Sequence, residues 1–142
     1  MRTADCGLLE GPDGWFWQFW LIVMNAEEFK KRTKTFALRV IHLVESLPAS
    51  RASNVIGRQL LRSGTSVGAN YRAACRGRSR PEFISKLGIV EEECDESLFW
   101  MELLVENNYV KASLLRDLMK ESDEILAIVV SSAKTARTTN RS

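Results

Sequence analysis

Residues 79–106 read SRPEFISKLGIVEEECDESLFWMELLVE, and their periodicity decides the fold class. Ser79 is a ready N-cap, Pro81 suits the first helical turn, and Glu82 stands behind it. At about 100° per residue, Phe83, Leu87, Val90, Cys94, Leu98, Met101 and Val105 fall on one stripe. Asn107 and Asn108 break the pattern. The reading is one long amphipathic helix whose apolar stripe needs other helices to cover it.

Upstream lies a second helix, capped by Ser53 or Asn54 and running to about Arg76. Ile56, Leu60, Leu61, Val67, Tyr71, Ala74 and Cys75 share its broad apolar face. Gly57, Gly64 and Gly68 line one edge of that face. A mid-helix glycine costs about 0.5–1 kcal/mol relative to Ala, so three on one edge predict the close approach of another backbone. A first helix spans residues 26–47, opened by Asn25 with Glu28 behind it and ended by Leu47-Pro48. Phe29, Thr33, Phe36, Val40, Leu43, Val44 and Leu47 face one way, with Lys31, Arg39 and His42 opposite. Downstream, Ser113 is placed to cap a fourth helix with Leu114, Leu118, Ile125 and Val129 as its stripe. Four helices of similar length on short loops make antiparallel neighbours. The expected fold is all-α, an up-down-up-down antiparallel four-helix bundle over residues 24–134, with 135–142 as a polar tail.

Composition agrees. The chain has 142 residues, 45% hydrophobic and 27% charged, which fits one ordinary domain and not a disordered chain. Eight Gly and three Pro argue against a turn-rich all-β fold. Three irregularly spaced cysteines exclude a disulfide framework and point to a reducing, cytoplasmic compartment. The single histidine, His42, excludes a His-rich metal site, and no cofactor motif is present.

Residues 1–23 do not match the rest. Residues 15–24 read WFWQFWLIVM, too short for a membrane span, which needs about 20 apolar residues. Asp5, Glu10 and Asp13 against Arg2 make a poor secretory leader. Three readings stay open: an interfacial or partner-docking segment, an extra element packed on the domain, or a true start at Met24.

Charge is segregated. Residues 30–86 hold 13 Lys and Arg against two acids, Glu45 and Glu82, a net of +11. Residues 87–128 hold 11 acids against Lys111, Arg116 and Lys120, a net of −8. On the second helix, Arg58, Arg62, Arg72 and Arg76 fall within an arc of about 80°, and Arg78 and Arg80 extend the cluster into the loop. Arginine matches phosphate bidentately, so this stripe is a candidate nucleic-acid footprint that reads no bases by itself. Lys30, Lys31 and Lys34 are candidate supporting contacts. The competing reading is a solvated face balanced by the acidic hairpin.

The run Glu91-Glu92-Glu93-Cys94-Asp95-Glu96 is no metal motif, because consecutive acids on a helix point apart and no His accompanies them. Glu91 projects near the core edge, where it is expected to meet Arg62 or Asn70, with the outer acids facing a neighbouring subunit. Ile89, Phe99, Trp100 and Leu103 form a second apolar stripe roughly opposite the core, an expected oligomer interface with packing against residues 15–23 as its rival. Cys75 and Cys94 read as core residues, and His42 has no catalytic partner nearby. No catalytic constellation is visible, so an enzyme is not expected.

From about Met24 to Lys134 the chain resembles the bacterial four helix bundle protein family, also called 23S rRNA intervening-sequence-encoded proteins. The resemblance rests on Arg62, Ser63, Ser66, Asn70 and Phe83, on Glu91 in the acidic helix, and on Glu102-Leu103-Leu104. It implies small up-down bundles that assemble into ring-like homo-oligomers, pentamers in particular. A related branch, the accessory protein of diversity-generating retroelements, is a more basic pentamer that binds nucleic acid and a reverse transcriptase. The resemblance does not reach residues 1–23, which favours the start at Met24.

The functional expectation is a non-enzymatic oligomer that binds structured RNA or other nucleic acid through the arginine stripe, with no small-molecule substrate. The alternative is a protein-interaction scaffold whose basic and acidic faces pair between subunits and dock a protein partner.

Overall fold

The computed structural model describes residues 26–138. The tryptophan-rich run, the start at Met24 and the Asn25 cap lie outside those residues. Four helices account for the described chain: α1 (Ala26–Glu45), α2 (Arg51–Cys75), α3 (Arg80–Glu106) and α4 (Ala112–Thr138). No strand occurs among the described residues. Short loops force each helix antiparallel to the one before it. Accordingly α2 packs against α1 and α3, α3 packs against α4, and α1 and α4 approach each other only sparsely. The architecture is a four-helix bundle.

The helix starts explain where the expected patterns shift. Ser79 caps α3, its hydroxyl accepting the Glu82 N–H at 3.2 Å, while the Glu82 carboxylate accepts the Arg78 N–H at 2.8 Å. That reciprocal pair satisfies two orphan donors. In α2 the cap is Ser50 rather than Ser53 or Asn54. The Ser50 hydroxyl accepts the Ser53 N–H at 3.0 Å, and Ser53 is itself buried. α4 begins at Ala112, so Ser113 is not its cap. Leu114 then turns outward, 72% exposed, and the stripe runs instead through Leu115, Leu118, Ser122, Ile125, Val129, Ala133 and Ala136. Asn108 closes α3 in the left-handed region at φ 60°, a conformation asparagine tolerates.

Phe36, Val40, Leu60, Val67, Phe83, Leu87, Val90, Met101 and Ile125 form the fully buried centre. In α3 the stripe is rotated relative to the expectation. Ser97 and Leu104 are buried, while Leu98 and Val105 are half-buried. The cause is a polar seam: the Ser97 hydroxyl donates to the Ser63 hydroxyl at 2.9 Å, drawing α2 and α3 together. A second seam joins α3 to α4, where the Ser122 hydroxyl donates to the Cys94 carbonyl at 3.2 Å and the Cys94 thiol lies 3.1 Å from the Ser122 carbonyl.

Glycine sets the α1–α2 distance. A Cβ on Gly64 would sit 2.9 Å from both γ-carbons of Val40, and one on Gly68 would sit 3.2 Å from Thr33 Oγ1 and 3.4 Å from its backbone carbon. The remaining seam, α1 against α4, is clasped by charge. The Arg32 guanidinium reaches Glu121 Oε2 at 3.0 Å through Nε and Glu124 Oε2 at 2.5 Å through Nη2. Both carboxylates hold its pKa above the ordinary arginine value.

Candidate nucleic-acid interface

Antiparallel packing brings the start of α1 beside the end of α2. Lys30, Lys31 and Lys34 from α1 and Arg72 and Arg76 from α2 therefore border one groove of about 480 Å³. Its floor is made of small side chains, Ala37, Gly68 and Ala69, which is why a hollow exists between the helices. Among the described residues Glu27 is the single acid on its lining, and it holds Lys30 Nζ at 2.9 Å. Among the described residues, no carboxylate comes within 4 Å of Lys31, Lys34, Arg72 or Arg76. Four cations border the groove without an internal counter-charge.

The other arginines of the stripe are elsewhere. Arg58 stands about 21 Å further along the α2 axis from Arg72, at 1.5 Å rise per residue. It borders a separate hollow of about 250 Å³ with Val44, Leu47 and Leu61. Arg62 is engaged within the chain: its Nη1 donates to Glu93 at 3.1 Å and its Nη2 to Glu96. The Arg62 guanidinium pulls the Glu96 carboxyl below its usual range, helped by the Trp100 indole N–H at 3.1 Å. Arg78 is exposed in the α2–α3 loop, and Arg80 lines a different groove against α4.

The Glu91 expectation is corrected. Arg62 is occupied by Glu93 and Glu96, and the Asn70 amide donates to the Ser66 carbonyl at 2.9 Å. Glu91 shares the helical flank of Ile84 and Leu98, the side that faces α4, whereas α2 lies along Glu93 and Glu96. Two acids expected to face a neighbouring subunit are thus engaged within their own chain.

The second apolar stripe is also redistributed. Phe99 is 49% exposed, but Ile89, Trp100 and Leu103 are half-buried. Trp100 packs on the core edge and meets Phe99 edge-on at 5.0 Å. It flanks α2 rather than standing opposite the core. Two of the family-motif residues, Ser63 and Phe83, are buried. Ser63 is buried and bonded to Ser97, Ser66 donates to the Arg62 carbonyl at 2.7 Å, and Phe83 is 2% exposed.

Cys75 and Cys94 are buried free thiols, and burial pushes the Cys94 thiol up, away from the reactive thiolate. His42 is exposed. Among the described residues no group of three metal-ligating side chains forms, and no helix is long and apolar enough to cross a membrane. Sequence reasoning missed two arginines, Arg32 in the α1–α4 clasp and Arg137 on the groove beside Arg80. Arg32 lies on a flank that periodicity leaves unassigned, and Arg137 lies in a stretch read as frayed tail.

Comparison with known proteins gives a consistent identification. No curated protein sequence matches the chain. The fold is similar to a crystal structure of a protein of unknown function from the S23 ribosomal protein family of Bacteroides thetaiotaomicron. That match has a TM-score of 0.72 and 34% identity, over 78% of this chain and 98% of the other. The family model described as 23S rRNA-intervening sequence protein matches residues 26–131, which span all four helices. The chain belongs to the 23S rRNA-intervening sequence protein family.

Proposed function

We propose that this protein is a non-catalytic, cytoplasmic, homo-oligomeric bundle that binds structured RNA or other nucleic acid through the α1–α2 groove. The observation that carries the reading is the unequal use of its cations. Arg32 and Arg62 are consumed by carboxylates of their own fold. Lys31, Lys34, Arg72 and Arg76 converge on one hollow and have no such partner among the described residues. Like charges held together cost energy unless an anion joins them, and phosphate is the anion that arginine and lysine meet best. Among the described residues no catalytic pair borders the groove. Free buried cysteines suit a reducing cytoplasm, and the exposed Phe99 offers the apolar anchor of a subunit contact.

The test is a binding titration with fluorescent RNA across a salt series. Four phosphate contacts give a log–log salt slope near −3 for a single strand. Arg72→Glu with Arg76→Glu should weaken binding at least tenfold and flatten that slope, with the assembly intact. Loss of assembly in that variant, with no loss of RNA binding, would assign the arginines to subunit pairing and favour the scaffold.

A further inference from the structure

We propose that the phosphate track does not end in the α1–α2 groove. It turns the end of the bundle past Arg78 and enters a second groove between the start of α3 and the end of α4, with Arg80 and Arg137 as its far contacts. The ligand is then a single flexible strand and not a straight duplex. This deepens the nucleic-acid reading and rests on it.

Three observations carry it. First, the second groove, of about 410 Å³, is bordered by Arg80, Pro81, Ile84, Ser85, Ala136 and Arg137, and among the described residues no acid lines it. Among the described residues no carboxylate comes within 4 Å of Arg137. Secondly, both grooves open at the same end of the bundle, where α1 and α3 begin and α2 and α4 finish. Two of the acids at that end are engaged within the chain, since Glu27 holds Lys30 and Glu82 accepts the Arg78 N–H, and Glu28 stands exposed in the first turn of α1. Thirdly, the link between the grooves is short and fixed. The Arg76 N–H donates to the Ala73 carbonyl at 3.1 Å, the Gly77 N–H to Ala74 at 2.9 Å, and the Phe83 N–H to Ser79 at 3.0 Å. Four chain steps separate Arg76 from Arg80, so their Cα atoms are at most about 14 Å apart. At most about four stacked nucleotides, at 3.4 Å each, cover that span.

Such a path turns from one side of the bundle to another within a few nucleotides. A duplex with a persistence length of about 50 nm resists that bend strongly, and an unpaired strand does not. Unpaired loops and ends of RNA fit this requirement.

The experiment measures anisotropy of the full chain with a 12-nucleotide single-stranded RNA, the same sequence as a duplex, and a 4-nucleotide fragment. Four proteins are compared: wild type, Lys31→Glu with Lys34→Glu, Arg137→Glu and Arg137→Gln. The expected result is tighter binding of the 12-nucleotide strand than of the duplex. Arg137→Glu should weaken the long strand about five- to tenfold, Arg137→Gln by less, and lower the salt slope by about 0.7. Because Arg137 is exposed, circular dichroism should match the wild type. If Arg137→Glu binds the long strand like the wild type while the lysine variant loses it, the second groove is overturned and the first stands. If the duplex binds as tightly as the strand, the single-strand requirement is overturned. If no nucleic acid binds the wild type at low salt, the underlying reading fails with it.

Discussion

The α1–α2 approach is the distance on which the groove depends, and Gly64→Ala probes it. The new methyl would sit 2.9 Å from both γ-carbons of Val40 and 3.2 Å from its Cβ. Val40 is fully buried and β-branched, so its side chain has no alternative rotamer to retreat into. Overpacking of this kind costs about 1–3 kcal/mol, and a contact below 3.0 Å against a stiff neighbour belongs in the upper half of that range. Replacing a helical glycine by alanine returns about 0.8–1 kcal/mol. The net expectation is destabilisation by about 1–2 kcal/mol, or roughly 3–8 °C in Tm for a domain of this size. Gly88→Ala is the matched control. A Cβ there meets nothing within 4 Å, so only the helix gain of up to about 1 kcal/mol remains and Tm should rise. Adding Val40→Ala to Gly64→Ala should relieve the clash, leaving the pair less destabilised than the sum by about 1–2 kcal/mol. Urea denaturation of the four proteins measures all of this. A Gly64→Ala protein as stable as Gly88→Ala would refute the close approach, and with it the geometry that gathers the lysines and arginines.

Three further outcomes follow from the same structure. Arg62→Ala should cost little at neutral pH, because its ion pairs are exposed. Glu96 is held below its usual pKa mainly by Arg62, so that contribution is present above the unfolded value of about 4.3 and fades as pH falls through the folded one. Wild-type and Arg62→Ala melting temperatures should therefore differ slightly at pH 6 and converge as the pH falls below the ordinary carboxylate range, and a gap that persists there contradicts the pairing. Cys75 and Cys94 should resist iodoacetamide in the folded protein and react fully in denaturant, as read by peptide mass spectrometry. Arg32→Ala removes the clasp on Glu121 and Glu124, so hydrogen exchange should quicken in α1 and α4 before α2 and α3. Uniform quickening across all four helices would show that the clasp does not hold that seam.

Much of the fold was legible because a helix repeats its burial pattern every few residues. The stripe from Phe83 to Met101, the Ser79 cap and the glycine edge of α2 each announce themselves locally. What was not legible depends on register between helices. The helix α4 starts at Ala112, two residues before the start that a Ser113 cap implies, and Leu115 rather than Leu114 lies at the core. A serine pair across α2 and α3 rotated the α3 stripe towards Ser97. The candidate site shows the same division. Sequence placed an arginine stripe on one face of α2, but only antiparallel packing could decide its members' fates. Arg72 and Arg76 meet the α1 lysines, Arg62 meets Glu93 and Glu96, and Arg58 stands alone at the other end. Arg137 entered the picture only when α4 proved to continue to Thr138 beside Arg80.

The most direct test of the central claim is the affinity of the wild-type protein for a fluorescent RNA between low and physiological salt, beside Arg72→Glu with Arg76→Glu. The account predicts binding at low salt, a log–log slope of about −3 or steeper, and a variant that stays assembled but loses at least tenfold in affinity. Absence of binding at low salt, or equal affinity and slope in the two proteins, would contradict it.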